Sequence, residues 1–406
     1  MIVPGRTDDV GRDGFSLPPR IAHFDLDSFF VAVERVRDPG LRGLPVLIGY
    51  DGPRGVVSTA SYEARVFGCR SAQPMAVALR LCPQAVVVRP DHEAYMEVSG
   101  RFHALLREIS PVVESAGIDE AYADLTGLGL APDAARVAAE ALRTRVRREL
   151  GIAVSVCIAG SKTTAKVGSD RAKPDGLIEV PVGGDAAFLA PLQIRDLPFV
   201  GPKFGEALAR AGIRTIGQAA ALDPKYLASR FGAGGEALAD RARGIDHAPV
   251  RAGGREQKQI SRESTFATDI TDIAELRRVL QRHAERVGTD LRAHGKRART
   301  VSLKLRWLDF TTLSRSRTLD RPFQATHVIL ETARELLDET VAAEGFHPVR
   351  LIGLGVTNLV DDAMQLGLGD LAPGGGTPEV LRDERLDHVL DDLRTRFGDH
   401  SVTRGL

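Results

Sequence analysis

The spacing of apolar residues divides this chain into two α/β sets, with a run of short helices and a polar linker between them. The first set opens at residues 21–30, where Ile21-Ala22-His23-Phe24-Asp25-Leu26 is followed by Asp27-Ser28 and then Phe29-Phe30. This reads as a buried strand carrying a carboxylate near its end, with Asp27 or Ser28 as N-cap of a helix over 29–35. Short strands follow at 44–49 and 55–60, turned by Asp51-Gly52-Pro53. A helix start at 59–65 sets Tyr62 and Arg65 on one face. Another helix follows Pro74, and 85–88 reads as a strand.

Residues 93–109 are a helix with apolar positions at Tyr95, Val98, Phe102, Leu105, Leu106 and Ile109. The stretch 112–126 reads as strand, break, strand, with Gly117-Ile118-Asp119-Glu120 at the break. A helix then carries the stripe Ala138, Leu142, Val146 and Leu150 and stops at Gly151. A buried strand at 152–159 leads to a basic helix from Ser161, closed by Lys173-Pro174-Asp175-Gly176. Strand-helix-strand-strand-helix-strand with an insertion after the first strand is the ferredoxin-like pattern, and it predicts that the end of the first strand lies beside the Asp119-Glu120 break.

Short helices fill 183–244, and Val200-Gly201-Pro202-Lys203 followed by 207–211 and Gly212-Ile213 has the form of a helix-hairpin-helix. A glycine-bearing linker at 253–258 precedes the second set, with strands at 261–266, 300–307, 311–319 and 349–359 and helices at 272–294 and 325–344. Residues 360–406 begin with a glycine-rich stretch and end in a short helix.

Composition changes this picture in three places. At 406 residues with 43% apolar content the chain supports several cores, and no apolar run reaches the roughly 18 residues that span a bilayer. Residues 1–18 are polar and read as a loose tail rather than a signal peptide. The three cysteines, Cys69, Cys82 and Cys157, lie far apart in apolar surroundings, which fits buried thiols in a reducing, cytoplasmic setting. The net charge of zero is a cancellation between regions. Nine basic residues from Arg292 to Arg321 face two acidic ones, leaving +7, whereas ten acids after Val360 face five arginines, leaving −5. Alternation of Ser302, Lys304 and Arg306 turns those side chains to one strand face, which reads as a surface that meets a partner or as a solvated basic face.

Candidate chemistry rests on carboxylates. Two adjacent acids on a regular strand point to opposite faces, so Asp119 and Glu120 converge only at a break. Three gathered carboxylates repel each other unless a cation is present. Hard oxygen ligands with no histidine or cysteine nearby favour Mg²⁺, and two such ions about 4 Å apart suit in-line phosphoryl transfer. Asp119 and Glu120 read equally well as turn acids that bind nothing. Lys162 and Lys166 read as solvated helix charge.

Four motifs now stand in order: Asp25-Leu26-Asp27-Ser28-Phe29-Phe30, Tyr62-Glu63-Ala64-Arg65, Ile118-Asp119-Glu120-Ala121-Tyr122, and Ala172-Lys173-Pro174-Asp175-Gly176. In order and spacing they resemble the motifs of the Y-family translesion DNA polymerases, in the class of bacterial DNA polymerase IV. The resemblance runs from about residue 20 to about 360. It implies an α+β protein. A palm occupies 19–28 and 91–180, with small fingers at 29–90. A helix-hairpin-helix thumb follows at 181–248, a linker at 249–258, an α/β little-finger sandwich at 259–359 and a flexible acidic tail at 360–406.

The resemblance further implies that Asp25, Asp119 and Glu120 bind two Mg²⁺ ions, with the Leu26 carbonyl facing one of them. Tyr62, Arg65 and Lys173 then hold the triphosphate of an incoming dNTP, and Phe30 fills the space of a ribose 2′-OH. Asp27 caps the helix and binds no metal. Primer-template DNA is held at Val200, Gly201 and Lys203 of the hairpin and at Lys304, Arg306, Arg315 and Arg317 of the little finger. The expected activity is template-directed addition of dNTPs to a primer 3′-OH by a monomer, of low fidelity and without proofreading, in damage tolerance. Gln365-Leu366-Gly367-Leu368-Gly369 partly resembles the peptide that binds the sliding clamp, with Gly369 where an aromatic is expected. Two departures stand out, Gly117 in place of the usual Ser and Ser161 in place of Asn. The rivals are a catalytically silent Y-family scaffold on DNA and a palm-type nucleotide cyclase. The intact carboxylates speak against the first, and the hairpin and basic strands against the second.

Overall fold

The computed structural model describes residues 17–128, 131, 133–253, 257–361, 378–398 and 401–402. They form two compact units that divide after Arg255, each with its own core.

In the first unit β1 (Ile21–Leu26) is followed by α1 (Phe29–Arg37), β2 (Val46–Gly49), β3 (Val57–Ala60), α2 (Tyr62–Val66), α3 (Met75–Leu81) and β4 (Val86–Val88). Then come α4 (His92–Ile109), β5 (Val113–Ser115), β6 (Glu120–Asp124), α5 (Ala134–Leu150), β7 (Val154–Ala159), α6 (Lys162–Ala172) and β8 (Leu177–Glu179). The main sheet has the order β5-β6-β1-β7-β8, with β1 antiparallel to both neighbours. This is the expected ferredoxin-like arrangement extended by β8. The insertion forms its own small sheet, β3-β2-β4.

Period two decides what each face of β1 carries. Ala22, Phe24 and Leu26 join the core under α4 and α5, with Phe102, Leu106, Leu142 and Val146. Ile21, His23 and Asp25 turn to the opposite face, where α6 lies, and Ile21 packs there with Ala165. The buried stripe of α5 runs Ala135, Ala139, Leu142, Val146 and Leu150, so Ala139 rather than Ala138 points inward.

The expected cap at Asp27 or Ser28 is not made. Ser28 occupies the N-cap position of α1 in the left-handed region, φ 45°, and no side chain caps the helix. Asp27 is only 6% exposed and its carboxylate is engaged elsewhere.

Five helices complete the unit, α7 (Asp185–Leu189), α8 (Pro202–Arg210), α9 (Ile216–Ala220), α10 (Pro224–Phe231) and α11 (Ala233–Arg241), around Leu208, Ile216, Leu227 and Leu238. Gly212, φ 80°, turns the chain between α8 and α9 in a conformation that suits glycine.

The second unit comprises β9 (Gln259–Ile270), α12 (Ile273–Ala293), β10 (Lys296–Trp307), β11 (Thr312–Phe323), α13 (Thr326–Glu344), β12 (Val349–Thr357), β13 (Val360–Asp361) and α14 (Pro378–Phe397). Its antiparallel sheet runs β11-β10-β12-β9. Val301, Leu303, Leu305 and Trp307 pack with the residues of α12 and α13 in one core.

Two tail expectations are corrected. The terminal helix is 20 residues long rather than short, and it is docked on the second unit. Arg292, its side chain 4% exposed, holds Asp391 at 2.6 Å and Asp387 at 3.3 Å, and Asp387 also accepts the Thr326 N–H at 2.7 Å. The segment 365–369 lies outside the described residues. Among those described, no helix is long and apolar enough to cross a membrane. All three cysteines are free and buried.

Candidate active site

The register of β1 and β6 builds the site. Asp25 stands directly opposite Glu120, so both side chains leave the same face of the sheet, the face beneath α6. Asp119 precedes β6, in a turn closed by hydrogen bonds from Ala116 and Gly117 N–H to the Glu120 carbonyl. Its carbonyl accepts the Leu26 N–H at 2.9 Å, tying the turn to the end of β1. A Cβ at Gly117 would lie 3.2 Å from Glu120 Cγ and 3.3 Å from Asp119 Oδ1, so glycine there leaves the two carboxylates room.

Atoms of His23, Asp25 and Glu120 lie within 4.8 Å of one another, and Asp119 stands outside that group. The expectation that no histidine is near the carboxylates is therefore corrected. His23 is two residues before Asp25 and shares its face. Its Nδ1 lies 2.7 Å from Ser169 Oγ, and its Nε2 is 3.5 Å from Glu120. Burial lowers its pKa, against the Glu120 contact and the charge of Asp25, which raise it.

Two lysines from α6 and the turn after it close the site. Lys166 pairs with Glu120 and lies 3.4 Å from Asp25. Lys173 reaches Asp25 at 2.7 Å and Asp170 at 3.1 Å. Reading Lys162 and Lys166 as solvated is thus corrected, since Lys162 makes a buried pair with Glu114 at 2.7 Å. The basic helix lies on the sheet instead of in water, and that packing was not visible in its composition. Ser161 caps this helix by accepting the Thr164 N–H.

The electrostatics divide the acids. His23 first, then Lys166, holds Glu120 down at about 2, against burial that acts the other way. Burial first, then Asp25 and Glu120, raises the pKa of Asp119. Burial opposes the charges of Lys166 and Lys173, yet neighbouring carboxylates, Asp170 and Glu120 for the first and Asp25 for the second, raise both pKa values. Asp119 makes no ion pair among the described residues. Oxygen donors on Asp25 and Glu120, the His23 imidazole and a third acid, Asp119, beside them fit a divalent cation.

Around this centre Tyr62 begins α2, which Ser61 caps through the Ala64 N–H. The Arg65 guanidinium lies 4.9 Å from the Tyr62 ring centroid and donates to the Ala60 carbonyl. Burial, then Asp27, pushes Tyr62 up to about 12. Phe29 is 2% exposed and belongs to the core, while Phe30 is half-buried and stacks on Tyr95 at 4.2 Å and 13°. The Tyr95 hydroxyl donates to Glu34 at 2.7 Å, which fixes that platform.

The residues expected to contact DNA fall in three groups. Gly201 is the N-cap position of α8 and Lys203 is exposed, whereas Val200 is 7% exposed and packs in the helical core. Lys304 and Arg306 leave the sheet face opposite α12 and α13, held by Glu263 at 2.7 Å and Thr312 at 2.8 Å. Arg315 and Arg317 are not on that face. They pair in register with Leu303 and Val301, whose side chains are in the core, so they turn to the helix side. There Arg315 binds Glu344 at 2.9 Å and Arg317 binds Glu335 and Glu339 of α13. The expectation of one basic surface is corrected by strand register.

Comparisons with known proteins agree with this geometry. The model of the impB/mucB/samB family matches residues 24–170, and that of the same family's C-terminal domain matches 257–368. The chain is 40% identical to DNA polymerase IV of Dehalococcoides mccartyi (strain CBDB1) over 387 residues, 95% of this chain and 97% of that one. It is 46% identical to DNA polymerase IV of Streptomyces coelicolor over 84% of this chain and 71% of that one. Among solved structures, a Y-family DNA polymerase chimera superposes with a TM-score of 0.77 at 24% identity, covering 84% of this chain and 99% of its own. An insertion ternary complex of Dbh DNA polymerase gives 0.62. These likenesses show the fold.

Proposed function

The chain belongs to the impB/mucB/samB family, that of the Y-family DNA polymerases, and from that premise we propose how its residues divide the work. It is a template-directed DNA polymerase of the translesion type, which joins a dNTP to a primer 3′-OH and releases pyrophosphate. The observation that carries the assignment of the chemistry is the opposition of Asp25 and Glu120 in register, with Asp119 in the adjoining turn.

In this reading Asp25, Asp119 and Glu120, with the Leu26 carbonyl, hold two Mg²⁺ ions. Bound there, the ions would lower the cost of charge on the attacking and leaving oxygens. The protein's own residues do the rest. Tyr62 and Arg65 approach the triphosphate from α2, and Lys173 approaches from the turn after α6, neutralising and aligning it. Lys166, paired with Glu120 and close to Asp25, balances the charge of the carboxylates. Phe30, backed by Tyr95, crowds a ribose 2′-OH and leaves it without a hydrogen-bond partner.

The division of labour follows the fold. Residues 19–28 and 91–180 act as palm, 29–90 as fingers, 181–248 as thumb and 259–359 as little finger. The Gly201 end of α8, with Lys203, meets a phosphate, while Val200 packs behind it. Lys304 and Arg306 meet the duplex backbone, a contact that neutralises charge without reading sequence. The protein works as a monomer in the cytoplasm, and clamp binding through residues 365–369 is a separate question for a peptide pull-down.

Primer extension tests the centre. Purified protein with Mg²⁺ should extend a primed template, and Asp119→Ala should lower the rate by at least about a thousandfold, ~4 kcal/mol of barrier. Extension that survives in Asp119→Ala would overturn the assignment. No extension by the unaltered protein would favour a silent scaffold.

A further inference from the structure

Asp27 is used neither as a helix cap nor as a member of the acidic group, yet it is the most heavily bonded acid near the site. One oxygen, Oδ1, accepts Ser155 Oγ–H at 2.9 Å and the Tyr62 hydroxyl at 3.3 Å. The other, Oδ2, accepts the Asp175 backbone N–H at 2.6 Å. The three donors come from three places. Ser155 is on β7 in the palm sheet and fully buried, Tyr62 begins α2 in the insertion, and Asp175 is two residues beyond Lys173.

The local backbone explains why the carboxylate is free for this work. The Asp27 N–H bonds to the Ala153 carbonyl, which keeps the residue in the sheet, and the left-handed Ser28 then turns the chain away into α1. Asp27, Tyr62, Pro174 and Asp175 line one cavity of about 300 Å³. Polar bonds through Asp27 therefore span a gap between α2 and the turn. On its far side the Lys173–Asp175 turn is held by Arg143, which lies 3.0 Å from Asp175 Oδ1, and by Arg147.

We propose that Asp27 is a positioning residue for nucleotide binding, a carboxylate that sets the distance between the two arms of the triphosphate grip, Tyr62 with Arg65 on one side and Lys173 on the other. This rests on the reading of those three residues as triphosphate ligands. The distances carry the inference. Fastening both arms to one buried acceptor removes freedom that binding would otherwise have to remove. The effect belongs to ground-state nucleotide affinity, because both Asp27 oxygens are taken up by donors of the protein itself.

The test is single-nucleotide insertion by the full chain on a primed template, with dNTP titrated. Asp27→Asn keeps the size but sets an amide N–H₂ against a donor. It should raise KM for dNTP about tenfold, the scale of one hydrogen bond to a charged group, with kcat within about threefold. Affinity for primer-template should not change. Tyr62→Phe removes this tie together with Tyr62's own place in the grip, so it should raise KM at least as much, and adding Asp27→Asn to it should raise KM by less than Asp27→Asn does alone. If Asp27→Asn does not fold, Ser155→Ala and Tyr62→Phe form the equivalent cycle through the shared Oδ1.

Arg65→Ala and Lys173→Ala separate the two levels of argument. If they raise KM while Asp27→Asn leaves it unchanged, or if the Asp27 and Tyr62 effects simply add, the grip stands and the proposal for Asp27 is overturned. If neither Arg65→Ala nor Lys173→Ala raises KM, the grip itself fails and takes the proposal with it.

Discussion

Phe29 and Phe30 differ by one position along a helix, and the proposed role falls to the second. Phe29 is 2% exposed in the core, and its half-buried neighbour packs at the edge of that core with its ring stacked on Tyr95. Phe30→Leu should leave dNTP insertion nearly intact and raise ribonucleotide insertion by about tenfold or more, the scale on which an apolar pocket discriminates against one small group. Competition between a dNTP and its ribonucleotide reads this directly, and unchanged sugar selection would remove Phe30 from the role. His283 gives a second residue-scale expectation. It is 6% exposed and 2.9 Å from Ser264 Oγ. Burial, then Arg282, Arg286 and Arg262, against Glu263, lowers its pKa from 6.5 to about 4. The folded ring stays neutral while the unfolded one protonates first. Its contribution is therefore full above pH 6.5 and is lost as pH falls from 6.5 towards 4, by up to about 3 kcal/mol. Urea titrations across that range should show the loss, and His283→Gln should flatten it. The pairing of Asp25 with Glu120 was legible in the spacing of strands, because the ferredoxin-like pattern brings those ends together. Lys166 was not, since nothing in a run of polar residues says which face of their helix will lie on a sheet.

At the scale of the element, β10 and β11 carry the sharpest contrast. Alternation sends Lys304 and Arg306 to the face opposite the helices, and antiparallel register sends Arg315 and Arg317 to the helix side. Converting Lys304 and Arg306 to Ala should weaken DNA binding at every sequence and reduce the slope of log K against log salt by about 1–2. Arg315→Ala with Arg317→Ala should leave that slope alone and instead cost about 1 kcal/mol or less of stability, as expected for partly exposed pairs with Glu335, Glu339 and Glu344. A slope flattened equally by both pairs would refute the division. α14 is the other element that composition misread. Its acids looked like a solvated tail, but Asp387 and Asp391 meet Arg292, Glu384 meets Arg297 at 2.9 Å, and Glu285 meets Arg394 at 2.7 Å. Charge of opposite sign elsewhere in the chain turned a polar helix into a docked one. Arg292→Ala should cost about 3–5 kcal/mol of docking, because it leaves Asp387 buried without its cation, and α14 should lose hydrogen-exchange protection.

For the whole molecule, the separate cores make separate responses. Leu142 is fully buried with Phe24 and Phe102 in the first unit, and Leu280 is fully buried with Trp307 in the second. Leu142→Ala should cost about 2–5 kcal/mol and lower exchange protection in β1, β6 and β7 while sparing α12 and β10, and Leu280→Ala should do the reverse. A loss shared by both units after either change would show one cooperative structure instead of two. The neutral total charge belongs to this scale as well. The +7 of residues 292–321 is met largely inside the second unit by Glu263, Asp361, Glu384 and the acids of α13 and α14, so a sum over sequence overstates the field that DNA would feel.

Apolar periodicity and the order of four short motifs determined the element sequence, the ferredoxin-like sheet, the two α/β sets and the placing of Asp25 beside Glu120. Those are local or additive properties, since burial of a face needs only the right period and a strand-end acid needs only its place in the strand order. Tertiary structure alone decided the partners. It brought His23 and Lys166 to Glu120, moved Arg315 and Arg317 to the helix side, docked α14 on Arg292, and drew Tyr62, Ser155 and Asp175 onto Asp27. A hydrogen bond or ion pair is settled by register and distance between segments far apart in the chain, and the Asp27 carboxylate, a plausible cap by sequence, was claimed by three donors that only folding could bring to it.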